Sequence, residues 1–401
     1  LKADDPKDIA HQSKALKNFV FIFLALVATD SVSRAEAQND THLVTKQEAT
    51  HFNIARKGVL FHRPEGMPAP GPYYTCLVQM DKVAGFPFDY ALYFSTDHHE
   101  KGGIWLYLCK GIPSEARDWK SYDQAVADGD FDYLKVKPEK NPVFSDTVQG
   151  ASSETPHANV IGGKVYMTYH NIVGGKRGQV TLLATSPDGI NFSRIHGDKD
   201  SVILEGANHT GYFRWAPNRF AGIRHRYVGY SLFGGGTNFR SAMWVSDDAI
   251  RWKREQIFRP MEGHAMPEAD RLLIWHGMDP NSITPLGNGK YVALCTGGTR
   301  ASGSMPRIVE LYEIFLAADG KTLYAESRKV MKEGAAGSDD AEEVSEPTTA
   351  LIGDTWHMIY VGAKNQGKEN TVMSATGKLD KTAPESRKLG KSDWQRHFDG
   401  K

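Results

Sequence analysis

The feature that most constrains this chain is a unit of three or four short strands that recurs five times. Residues 73–109 read YYTCLVQM, a break at Gly85-Phe86-Pro87, then DYALYFSTDHH and GGIWLYLC. Residues 154–192 read ETPHANVI, KVYMTYHN, QVTLLATS and PDGINF, and residues 209–252 read HTGYFRW, HRYVGYSL, FRSAMWVS and DDAIRW. Residues 278–316 give MDPNSITPL, KYVALCTGG and RIVELYEIFL, and residues 345–376 give SEPTTALI, TWHMIYVGA and TVMSAT. The alternating aromatic and β-branched residues are those that strands favour, and no unit contains an amphipathic helix.

The first-strand positions Tyr74, Glu154, Tyr212, Asp279 and Glu346 are 80, 58, 67 and 67 residues apart. Small antiparallel units of this kind cannot bury their faces alone. The closed solution is an all-β, five-bladed β-propeller, with a β-sandwich or β-helix as the rival. The strand near Gly58 to His62 is expected to complete the last blade. Two units close on the same turn, Ser186-Pro187-Asp188-Gly189-Ile190-Asn191-Phe192 and Ser246-Asp247-Asp248-Ala249-Ile250-Arg251-Trp252, with a degenerate copy at Asp319-Gly320. It places an Asp in a tight turn and reads as structural. The segments 111–150 and 317–345 read as polar surface excursions.

Ahead of the repeats, Lys14 and Lys17 precede an apolar run from Phe19 to Ala28 and an Ala35-Glu36-Ala37 site. That is the pattern of a secretory signal peptide over residues 1–37, with 1–13 read as an upstream extension. Ten apolar residues fall short of the roughly 20 needed for a membrane span. The propeller is assigned to 38–381, a charged tail to 382–401, and the location to outside the cell or the periplasm. With 48 basic and 48 acidic side chains the chain has no basic excess, which argues against a nucleic-acid partner. Cys76, Cys109 and Cys295 allow one bridge, Cys76 with Cys109, or three buried thiols.

In a propeller the first strands surround the axis, so their leading residues converge at one mouth. This gathers Glu154, Asp279 and Glu346 as candidate catalytic carboxylates, although an acid before Pro also serves as a turn or cap. Around them come His157 and His170, which flank the 153–171 hairpin with its Gly162-Gly163 turn. His209, Tyr212, Arg214 and Arg226, and the Asp97-His98-His99 run, are further candidates for substrate binding. Trp105, Trp215, Trp244, Trp275 and Trp356 are either sugar platforms or blade core.

The units opening ETP, MDP and SEP resemble the acid-Pro strand starts of the five-bladed propeller glycoside hydrolases, which include families 43, 32 and 117 and the mannoside phosphorylases. The resemblance implies cleavage of a glycosidic bond by paired carboxylates, with Glu154 and Glu346 as acid and base or nucleophile and Asp279 tuning them. Family 43 carries its base on blade one, where this chain has Tyr73-Tyr74. The partner is then a poly- or oligosaccharide, anionic if the arginines bind its charge. No cofactor is required, with a structural metal ion on the axis as an option. Two alternatives stand beside hydrolysis. One is a polysaccharide lyase acting on a uronate through His157 or His170, Tyr212 and Arg214 or Arg226. The other is a glycan-binding propeller without catalysis.

Overall fold

The computed structural model describes residues 49–384 apart from 97–101, 147–152, 174–177, 198–199, 207–208, 235–239, 259–272 and 300–307. The leader at 1–37, the tail beyond 384, and the Asp97 and His98 candidates lie outside the described residues.

Strand β1 (Phe52–Phe61) comes first in sequence and is used last. The first meander is β2 (Tyr73–Gln79), β3 (Tyr90–Ser95), β4 (Trp105–Cys109) and β5 (Trp119–Ser121), followed by the short helix α1 (Tyr122–Ala127). The second is β6 (Glu154–Ile161), β7 (Lys164–Val173) and β8 (Gly178–Ser186), with β9 (Ser193–Arg194) and β10 (Val202–Leu204) both paired to β8. The third is β11 (Arg214–Pro217), β12 (Tyr227–Phe233), β13 (Arg240–Ser246) and β14 (Lys253–Phe258). In the fourth, β15 (Leu273–Met278) and β16 (Thr284–Gly287) share the partner β17 (Lys290–Thr299), followed by β18 (Ile308–Ala317) and β19 (Leu323–Met331). The fifth is β20 (Glu343–Ile352), β21 (Thr355–Lys364) and β22 (Glu369–Leu379), and β1 pairs antiparallel on its outer edge. That closure is the one expected from the segment near Gly58 to His62.

The leading strands meet in a ring. β2 packs on β6, β6 on β11, β11 on the 3₁₀ turn Pro280–Ser282, that turn on β20, and β20 on β2. Each pair of neighbouring meanders encloses an apolar layer. Val78 and Tyr93 meet Ala158 and Met167, and Trp215 meets Ile161 and Tyr166. Tyr230 and Met243 meet Ala293 and Tyr312, Leu294 and Phe315 meet Met358 and Tyr360, and Leu77 and Leu92 meet Ile359 and Val372. The expected all-β propeller is therefore what the chain forms. Burying the faces of consecutive meanders against each other is what makes marginal hairpins stable.

Several local expectations are corrected. Segment 111–150 is not simply a surface excursion, because Tyr122, Ala125 and Phe131 are fully buried in the layer between the first two meanders. Segment 317–345 contains β19, and Asp340 within its acidic run is buried, held by Arg56 Nε at 2.6 Å and Tyr360 Oη at 3.1 Å. Those partners lie on β1 and β21, 284 and 20 positions away in sequence, so the acidic run looked like a solvated loop. The first strand of the fourth unit is split into β15 and β16 by the 3₁₀ turn. All three cysteines are free and buried. Cys76 points into the layer shared with the second meander and Cys109 into the layer shared with the fifth, on opposite faces of one sheet, so the bridge cannot form.

The closing turns are structural, as expected. Asp188 Oδ1 accepts from the backbone N–H of Ile190 at 2.9 Å and Asn191 at 2.7 Å, and Asp248 Oδ1 accepts from Ile250 at 3.0 Å and Arg251 at 2.8 Å. Asp319 does the same for Lys321 and Thr322. Gly189 sits at φ 77°, and a Cβ there would lie 2.6 Å from Met80 Cε.

Candidate active site

The mouth of the axis is shaped by a bulge that repeats from blade to blade. In the first meander Tyr73 pairs with Ser95 and Cys76 with Tyr93, so one residue is left over on β2. In the second, Glu154 pairs with His170 and His157 with Thr168, and in the fifth Ser345 pairs with Val361 and Thr348 with Ile359. The bulged residues Tyr74, Thr155 and Glu346 have φ of 53°, 49° and 56°, and Tyr212 in the third meander has 54°. None is glycine, and an L-residue held in the left-handed region costs roughly 1–2 kcal/mol. Bulges and strained non-Gly positions of this kind are over-represented beside functional sites.

This register corrects the alignment read from the sequence. Glu346 is level with Thr155 and Tyr74, whereas Glu154 is level with Tyr73 and Ser345. Aligning ETP with SEP by their acids slips one residue, and such a slip exchanges the faces on which side chains stand. Aligning them by their prolines, Pro156 and Pro347, is the signal that would have found Thr155.

Tyr74, Thr155, Pro156, Tyr212, Arg214 and Glu346 line a cleft with ≈180 Å³ of empty space. At its floor Arg214 Nη2 donates to Glu346 Oε2, and Nη1 donates to the carbonyl of Pro347 at 2.7 Å. Both side chains are buried. The backbone of Glu346 is pinned on two sides, its N–H donating to Thr296 Oγ1 at 2.9 Å and its carbonyl accepting from Thr75 Oγ1 at 2.9 Å. One wall is aromatic. Tyr74 Oη lies 3.3 Å from Tyr212 Oη, and the Tyr212 ring stacks on His209 at 5.0 Å and 11°. His170 packs against both, 5.2 Å from His209 and 5.5 Å from Tyr212. His209 Nδ1 accepts from the N–H of Gly211 at 3.0 Å, which puts the proton of its neutral ring on Nε2.

Asp279 is fully buried behind this floor. Its Oδ2 accepts from Thr349 Oγ1 at 2.6 Å and its Oδ1 caps the 3₁₀ turn through Asn281 N–H at 3.1 Å. Burial pushes its carboxyl up to about 6, against the pull of the Thr349 bond and the Arg214 charge. Glu154 is buried on β6, directly across the ladder from His170.

The remaining expected residues separate. His157 is buried one turn of the pleat below the mouth, where its Nδ1 accepts from Trp215 N–H at 3.3 Å. Burial, with Arg214 nearby, holds its pKa well below the usual range. It does not line the cleft. Arg226 is exposed at the start of β12, with its N–H on Asp247, whereas Arg214 pairs further along with Tyr230. Trp105, Trp215, Trp244 and Trp356 are all buried blade core. Among the described residues no cluster of acids, cysteines and histidines has metal-binding geometry.

A scan of protein-family models finds no match, and a search of curated proteins finds none either. Solved structures do match, among them carbohydrate-acting enzymes that share this fold. One is an N-acetylgalactosamine deacetylase from F. plautii in complex with blood group B trisaccharide, at TM-score 0.53 and 12% identity, covering 87% of this chain and 98% of that one. Another is the β-1,2-mannobiose phosphorylase of Listeria innocua, at TM-score 0.51 and 13% identity, covering 82% and 97%. A third is a Bombyx mori family-32 β-fructofuranosidase, at TM-score 0.50 and 12% identity, covering 78% and 61%. At these identities the likeness is one of fold.

Proposed function

We propose that the chain is an exported glycoside hydrolase whose carboxylates act at the propeller axis. The observation that carries this reading is the buried Arg214–Glu346 pair at the floor of the axial cleft. Paired with a guanidinium, Glu346 is the anion of the site and takes the role of nucleophile or base. Glu154, the carboxylate expected as its partner, stands one residue before Thr155 and is not among the residues lining the cleft, so its role as proton donor rests on the variant test below. Asp279, with its carboxyl pushed up to about 6, holds charge behind the floor. Export follows from the n-region, apolar run and Ala35-Glu36-Ala37 pattern.

The lyase alternative is disfavoured by the same geometry. Of the two arginines that reading calls on, Arg214 already donates to Glu346 and to the Pro347 carbonyl and Arg226 is exposed away from the cleft.

The test is release of reducing sugar from a panel of oligosaccharides by the wild type, Glu346→Gln and Glu154→Gln. Both variants are expected to lose about 10²–10⁴-fold in rate. Full activity in both would exclude the carboxylate mechanism. Appearance of an unsaturated product absorbing in the ultraviolet would identify a lyase.

A further inference from the structure

Thr155 is 6% exposed and lines the cleft, and its Oγ1 has no hydrogen-bond partner among the described residues. A buried hydroxyl without a protein partner is costly unless a water or a ligand meets it. The residue also sits at φ 49°, an unusual conformation for a β-branched side chain, while Ser95 Oγ accepts from its N–H at 3.1 Å and holds the backbone in place. The chain therefore carries two local penalties at one position, on the lining of the same cleft that Glu346 lines.

The charges of that space are already balanced. Arg214 is committed to Glu346 and to the Pro347 carbonyl, and among the described residues lining the cleft there is no second Arg or Lys. A carboxylate entering it would meet Glu346 with no free partner. The wall also carries the Tyr74 and Tyr212 hydroxyls, 3.3 Å apart, with the His209 and His170 rings packed behind Tyr212.

We propose that Thr155 is the specificity-determining residue of the cleft, its hydroxyl pairing with a hydroxyl of an uncharged sugar ring. This rests on the glycan-acting reading above and goes beyond it by naming the reader and the substrate class. A site built to bond a hydroxyl discriminates strongly against a ligand that leaves its buried partner unmet.

The experiment titrates the full chain with glucose, galactose, mannose, xylose and arabinose, and with glucuronate and galacturonate, by calorimetry. It is repeated on Thr155→Val, which keeps the branched shape without the hydroxyl, and on Thr155→Ser, which keeps the hydroxyl. A neutral sugar is expected to bind tightest. Thr155→Val is expected to weaken it by about tenfold, the worth of one neutral hydrogen bond, while raising the Tm. Thr155→Ser is expected to retain binding. A structural hydroxyl would behave the opposite way, so a Thr155→Val variant with lowered Tm and unchanged binding overturns the proposal. Tightest binding of a uronate, or binding of none of the sugars, overturns it as well. Neutral-sugar binding with no turnover of any oligosaccharide supports it and instead removes the hydrolase reading.

Discussion

Asp279→Asn is the substitution whose outcome the structure states most sharply. The carboxyl is fully buried and raised from an ordinary 3.8 to about 6, chiefly by desolvation. Between those values the folded chain keeps a proton that the unfolded chain has lost. The stability that Asp279 contributes is thus complete below 3.8 and is lost as the pH rises through about 6. At about 1.36 kcal/mol per unit, the full loss is on the order of 3 kcal/mol. Asparagine keeps the shape and an acceptor for Asn281 N–H, and its amide can donate to Thr349 Oγ1 in place of the present bond. The variant therefore gains on the wild type by about 2 kcal/mol between pH 4.5 and pH 7.5. Urea unfolding at a series of pH values measures this directly, provided the slopes of the two proteins agree. The hydrolytic rate should fall in the same variant, and any rate inflection near pH 6 should disappear. A stability difference that is flat from pH 4.5 to 7.5, or that runs in the other direction, would refute the assignment of a raised Asp279.

Three further substitutions test the framework. Arg214→Met leaves Glu346 buried without its cation and should cost about 3–5 kcal/mol in urea unfolding, and an unchanged midpoint would show the pair to be dispensable. Glu313→Gln tests the closure of the ring. This fully buried carboxylate accepts from His51 N–H at 2.9 Å, Phe52 N–H at 3.1 Å and Arg328 Nε at 2.6 Å. Its loss should cost about 3 kcal/mol and speed hydrogen exchange along Phe52–Phe61 relative to the other outer strands. Asp248→Ala removes the acceptor of two turn N–H groups and should cost about 1 kcal/mol, with a change in the fluorescence of Trp252, which packs on Phe213 at 4.9 Å.

Much of the architecture was readable because it is written locally. Alternation along each strand, Gly and Asp at the turns, and recurrence of the whole unit are properties of short windows, and repetition of a unit unstable by itself demands a closed array. The segment near Gly58 to His62 was placed correctly on the last blade for that reason. The misreadings fell where partners are far apart. Tyr122 and Phe131 are too sparse to make a periodic pattern, yet each fills a layer. Asp340 looked solvated until Arg56 and Tyr360 were brought to it.

For the site, the sequence alone determined that acids, tyrosines and Arg214 open the first strands, and that these starts converge. Only the tertiary structure decided which of them share a face. A bulge adds one residue without changing the composition of the strand, so the slip between Glu154 and Glu346 leaves no trace in hydrophobic pattern. The pairing of Arg214 with Glu346 spans 132 positions. Thr155 has no chemical distinction as a letter; its weight comes from a left-handed backbone and a buried hydroxyl without a partner among the described residues. Local pattern specifies the blades, while ring closure sets the distances, burial and charge balance from which the chemistry of the cleft follows.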